Sequence, residues 1–128
     1  MTTRATVAVL KTTPASVLED YDRLIGLARV EDYLPAGKTV ILKDNISWHF
    51  PFLSANTTPW QLQGTILALQ AMGLTDLLAV HNDTVVTNPR KGLRLNKLAP
   101  IYQQYAIPEY DNFNPAHVDA ARHARRGA

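Results

Sequence analysis

Cysteine is absent from the chain, which excludes a disulfide framework, a thiolate metal site, a thiolate-ligated iron–sulfur cluster and a cysteine nucleophile. An excess of one charge sign is also missing. Thirteen Lys+Arg against eleven Asp+Glu leave a formal net charge of +2, with the signs alternating along most of the sequence, so no basic face marks a nucleic-acid partner. Long hydrophobic runs are lacking too: the apolar stretch near the N-terminus ends at Lys11, shorter than a signal-peptide core or a membrane span. These absences predict a soluble cytoplasmic protein that engages neither nucleic acid nor membrane. The six glycines fit neither GxGxxG nor GxxxxGK[ST]. Ser16, Ser47 and Ser54 have no nucleophile-elbow motif around them.

Apolar residues make up 46% of the 128 positions, enough for one domain to bury a core without covalent or metal staples. The patterning predicts a single domain over residues 1–114 and a tail, a short helix or disordered, over residues 115–128. Thr6 to Leu10 is rich in β-branched residues and reads as a short buried strand. A helix follows, started by Thr13 before Pro14 or by Ser16 with Glu19, and running to about Arg29. Its apolar residues Val17, Tyr21, Leu24 and Ala28 form one stripe suited to covering a sheet.

Thr39 to Leu42 is a continuous apolar run, the signature of a strand buried on both faces. Thr58, Pro59 and Gln61 then combine an N-cap, a proline at the first helical position and a Gln at the third, and Gly73 closes that helix. Leu77 to Val80 is a further strand. Beyond Asp83 a helix is predicted over Arg94 to Tyr105, kinked or split by Pro100, and an edge strand over Ile107 to Phe113. Strand and helix alternation with short returns predicts an α/β fold: a three-layer sandwich with a mainly parallel sheet of three to four strands and helices on its faces.

Ligands of open α/β sheets gather outside the carboxyl ends of the strands, which directs attention to Lys43, Asp44 and Asn45 and to His81, Asn82 and Asp83. The connection from Asp44 to Thr57 is 14 residues long, beyond the usual range of about two to six for such loops, and long loops are disproportionately lids or binding loops. It carries Ile46, Trp48, Phe50, Phe52 and Leu53, each worth about 1.5–3 kcal/mol when fully buried. The sheet edge, another subunit or a further part of the protein must cover them. The loop leads to Thr57 and Thr58 at a helix N-terminus, where free N–H groups and the helix dipole favour an anion, with Lys43 as countercharge.

Among the four histidines, His49 and His81 with Asp83 offer a two-His-one-acid set, although their spacing is not that of a metal site. His81 alone suits general acid–base work. The candidate ligand-binding residues are therefore Lys43, Asn45, Thr57, Thr58, His81, Asn82 and Asp83. Trp48, His49, Phe50 and Phe52 are candidate lid or interface residues. No metal is predicted, and the sequence assigns no catalytic residue.

Three segments, VAVLK, KTVILKDN and TTPWQLQGTILALQAMGLTDLLAVHND, resemble the N-terminal portion of the DUF362 family, an uncharacterised group sometimes associated with iron–sulfur proteins. The family's second strand ends in Lys-Pro-Asn, and a Thr-x-Pro segment opens its next helix. Lys43 and Asn45 match with Asp44 in place of the proline, and Thr57, Thr58 and Pro59 match the helix start. Family members are usually much longer and several carry a cysteine-rich segment. The resemblance therefore implies a truncated chain, a natural short member or half of a split protein, with no iron–sulfur cluster because cysteine is absent. It implies no activity. Residues and resemblance together predict a domain binding an anionic small molecule or cofactor of unknown identity. The alternative is an interaction or assembly module, a homo-oligomer or partner subunit, using the aromatic loop 46–53.

Overall fold

The computed structural model describes residues 7–84 and 86–118. Helix α1 spans Val17–Leu27, followed by a 3-10 turn at Val30–Asp32, strand β1 at Val40–Leu42 and helix α2 at Pro59–Ala71. Strand β2 is Leu77–His81, helices α3 and α4 are Pro89–Leu95 and Ala99–Gln104, and strand β3 is Glu109–Asp111. The three strands form one parallel sheet in the order β1-β2-β3. Parallel neighbours need a crossover between them; α2 makes the first, and α3 with α4 makes the second. The predicted α/β class and parallel sheet are present.

Local chemistry sets the helix boundaries. At α2 the Thr58 Oγ1 accepts the Gln61 N–H while the Gln61 side chain accepts the Thr58 N–H, a reciprocal capping box completed by Pro59. Gly73 takes φ +79° just past its end, where only a residue without Cβ sits at ease. The helix predicted over 94–105 is two helices. Asn88 and Pro89 start α3, the Asn88 Oδ1 accepting the Lys91 N–H at 2.8 Å. Lys97 at φ +62° ends that helix, and Pro100 falls in the first turn of α4, where its missing N–H costs nothing.

Side-chain alternation along β2 separates the two faces of the sheet. Leu77, Ala79 and His81 are buried, whereas Leu78 and Val80 are only half-buried. In register with them, Leu42 lies on the buried face and Ile41, 53% exposed, on the open one. Leu62, Ile66 and Leu69 of α2, Leu93 of α3, Leu98, and Ile101 and Tyr102 of α4 close over Leu42, Leu77 and Ala79 as one apolar core. α2 has two buried sides, Leu62, Ile66 and Leu69 toward the sheet and Gly64 with Ala68 on another, because its outer side carries α1: a Cβ at Gly64 would fall 2.6 Å from the Tyr21 ring. The α1 stripe thus covers a helix rather than the sheet, and the layers run from α1 through α2 to the strands.

One predicted strand does not form. Val7–Leu10 pairs with no strand, with Val7 80% and Val9 84% exposed, while Thr6 lies outside the described residues. Its β-branched composition is strand-like, but a strand is stabilised by its neighbour's backbone bonds, and among the described residues this segment has no such neighbour. The edge strand predicted over 107–113 is shorter, Glu109–Asp111, and pairs with β2. Residues 115–118 are helical, and the rest of the predicted tail, 119–128, lies outside the described residues.

Candidate functional site

Both β1 and β2 run into polar residues at their carboxyl ends, and the pleat splits those residues into two sets. Asp44 and His81 continue the buried side, while Lys43 and Asn82 are exposed. Above them a cavity of about 430 Å³ opens. Lys43, Asn45 and Ser47 line it from the β1 end, His81, Asn82 and Thr84 from the β2 end, and Val86, Thr87 and Pro89 from the start of α3. Four of the sequence-predicted residues, Lys43, Asn45, His81 and Asn82, therefore meet around one space.

Beneath the cavity lies a charged network. His81 is 2% exposed. Its Nδ1 lies 3.3 Å from Asp44 Oδ1, without an aligned hydrogen bond, and its Nε2 lies 3.2 Å from Glu109 Oε2. Arg90 spans Glu109 and Asp111, with Nη1 donating to Glu109 Oε2 at 3.1 Å and Nη2 to Asp111 Oδ2 at 2.8 Å. On the other side the Tyr102 hydroxyl donates to Asp44 Oδ2 at 3.2 Å. Burial, reinforced by the Asp44 carboxylate, pushes the Tyr102 phenol well above its ordinary range. The strand register explains the grouping: Ala79 faces Glu109 and His81 faces Asp111, so every carboxylate of β3 points to the same side as the imidazole.

Tyr102, Glu109, Arg90 and Asp111 are absent from the sequence-predicted set, and Asp44, marked there as a strand-end residue, is not among its ligand-binding candidates. One signal was available. Glu109 and Asp111 stand two apart inside a predicted strand, and therefore on one face.

Thr57 and Thr58 do not line the cavity. The Thr57 Oγ1 accepts the Asn45 N–H at 2.8 Å, and Thr58 caps α2, so the helix N-terminus is occupied by its own cap. The Asp83 Oδ1 accepts the Thr84 N–H at 3.0 Å and stands outside the cavity. Asn82 is steadied by a hydrogen bond from the Asn112 side chain.

The aromatic loop is pinned rather than free. The Asn56 side chain accepts the Trp48 N–H and donates to the carbonyls of Trp48 and Phe50 and to the Asn96 side chain. Thr87 donates to the Ser47 carbonyl at 3.0 Å. Ile46 packs against the core. Gly92 of α3 meets the loop so closely that a Cβ there would fall 2.5 Å from Ile46 Cγ2. Trp48 stacks on His49 with ring centroids 4.6 Å apart, Phe50 meets the His49 ring at a tilt with centroids 4.5 Å apart, and Lys91 Nζ sits 4.8 Å over the Phe50 ring. Trp48, Phe50, Phe52 and Leu53 are exposed. None of Trp48, His49, Phe50 and Phe52 lines the cavity.

Among the described residues no three His, Asp or Glu side chains are placed to hold a metal ion, so His49, His81 and Asp83 do not form a ligand set. Also among the described residues, no helix is long and apolar enough to cross a membrane. The fold and site define a small α/β domain with a cavity of mixed polar and apolar lining at the carboxyl ends of a parallel sheet. No family model, no curated protein and no solved structure matches the chain.

Proposed function

We propose that this chain is a DUF362-like domain that binds an anionic small molecule or cofactor in the cavity above β1 and β2. The observation that carries this reading is Lys43: it is exposed at the cavity rim, and among the described residues no carboxylate lies within ion-pair distance of it. Amide and hydroxyl groups of Asn45, Ser47, Asn82 and Thr84 surround the same space, and hydrogen bonds to a charged acceptor are worth about 1.5–3 kcal/mol each. Val86 and Pro89 give the cavity an apolar wall, which suits an acid carrying a small hydrocarbon part. Within this reading Thr57 holds Asn45 in place, and His81 forms part of the floor. A cytoplasmic setting accompanies the proposal.

Thermal denaturation with inorganic phosphate and with short-chain carboxylates, at fixed protein concentration and constant ionic strength, tests it. A bound ligand at 100 times its Kd adds about 2.7 kcal/mol to the unfolding free energy. The expected result is a saturable rise in Tm that is lost in Lys43→Gln. Absence of a saturable rise, or an identical rise in the variant, overturns the proposal.

The exposed, pinned side chains of Trp48, Phe50, Phe52 and Leu53 favour a second reading, an interaction module that meets a partner through this loop. It predicts that Trp48→Ala lowers the mass measured by light scattering while leaving any ligand-induced rise in Tm unchanged.

A further inference from the structure

We propose that the chain forms a strand-exchanged dimer in which Val7–Leu10 of one copy pairs with the outer edge of β1 in a second copy. The donor is a run of Val, Ala, Val and Leu that has strand composition, pairs with no strand among the described residues, and exposes both valines. Thr12 fixes the base of this arm, its hydroxyl donating to Asp20 Oδ2 at 2.8 Å.

The acceptor lies on the same molecule. Among the described strands β1 has a neighbour on one side alone, since the sheet runs β1-β2-β3. Along it a groove of about 190 Å³ is bounded by Ile41, Leu42 and Lys43 on the strand and by Gln61, Leu62 and Thr65 of α2. Thr57 closes one end of this edge, exchanging hydrogen bonds with the Asn45 backbone, its Oγ1 accepting and its N–H donating, both at 2.8 Å. The open stretch from Val40 to Lys43 matches the arm in length.

An unpaired edge is a template for another strand, and main-chain pairing along it supplies affinity with little demand on side chains. Each copy carries both a donor and an acceptor. Two copies therefore satisfy each other about a two-fold axis, and the assembly closes at two. This contact is separate from the cavity and from the aromatic loop.

Light scattering on the full chain over a range of concentrations tests the proposal, with hydrogen exchange as a second readout. The expected result is twice the monomer mass, halved by Val9→Pro, which removes a backbone donor from an exposed segment, and retained by Val9→Thr, which keeps strand preference. Trp48→Ala leaves the mass unchanged. A monomer at all concentrations overturns the proposal, including a monomer whose Val7–Leu10 amides are protected, since there the arm pairs within its own chain. A dimer that survives Val9→Pro but is lost in Trp48→Ala assigns association to the aromatic loop and overturns it equally.

Discussion

Lys43 and Asp44 are neighbours in sequence, as are Asn82 and His81, yet within each pair the two residues belong to different regions of the molecule. Asp44 and His81 turn inward to a network in which Tyr102, Glu109, Arg90 and Asp111 supply the partners. Lys43 and Asn82 turn outward to a cavity rim, where among the described residues the ammonium hydrogen-bonds only the Asp44 carbonyl and the Asn82 amide accepts from Asn112. One step along a strand reverses the face, so a single pair of strand ends builds both a buried polar network and an exposed cavity rim. Polar residues at the end of a parallel strand are therefore not all equivalent candidates for binding; the pleat assigns alternate ones to structure.

Substitutions can break that division, beginning with the foundation. His81→Ala takes away the side chain between buried Asp44 and Glu109 and leaves Asp44 with the Tyr102 hydroxyl, and the cost of stripping a partner from a buried charge is about 3–5 kcal/mol. Urea denaturation should show a loss in that range, against a change within about 0.5 kcal/mol for Lys43→Gln, the usual size for an exposed position. Similar losses for the two variants would erase the contrast. Gly92→Ala strikes the joint between α3 and the loop: Ile46 is β-branched and stiff, so the added methyl must push backbone, at about 1–3 kcal/mol. The same urea experiment measures it.

Tyr102→Phe removes the donor to a buried carboxylate, a loss of about 1–3 kcal/mol near neutral pH. It also gives a pH signature. Because the folded protein holds the phenol above its unfolded value of roughly 10, the stability this residue supplies is complete below that pH and is lost as pH rises past it. Stability measured from pH 8 to 11 should fall in the native protein, and the fall should be shallower in Tyr102→Phe. Parallel curves would remove Tyr102 from the account. The smallest effect sharpens the outer half of the comparison: Lys43→Gln should leave the Tm of the ligand-free protein nearly unchanged while removing the rise produced by anions.

What the sequence reveals depends on how far its physics reaches along the chain. The α2 boundary was readable because Thr58 and Gln61 act on each other across three residues. The same cap-and-proline chemistry at Asn88 and Pro89 starts α3 ahead of the helix predicted over 94–105. The strands β1 and β2 announce themselves as short apolar runs, but Val7–Leu10 reads the same way and pairs with no strand among the described residues, since strand formation is decided by a neighbour rather than by composition. The rim of the candidate site was legible from the rule about strand ends. Its floor was not, because Asp44 meets Tyr102 across 58 positions and only the finished register brings Glu109 and Asp111 beneath His81.

The close approach of Gly92 to Ile46 makes two positions, 46 residues apart in the chain, share one volume. Such a pair drifts together: Ala at 92 becomes tolerable where 46 shrinks to Ala, and a redesign that enlarges either residue alone will shift the loop carrying Asn45 and Ser47. Tuning the cavity by remodelling its walls therefore begins at a glycine that is not part of its lining.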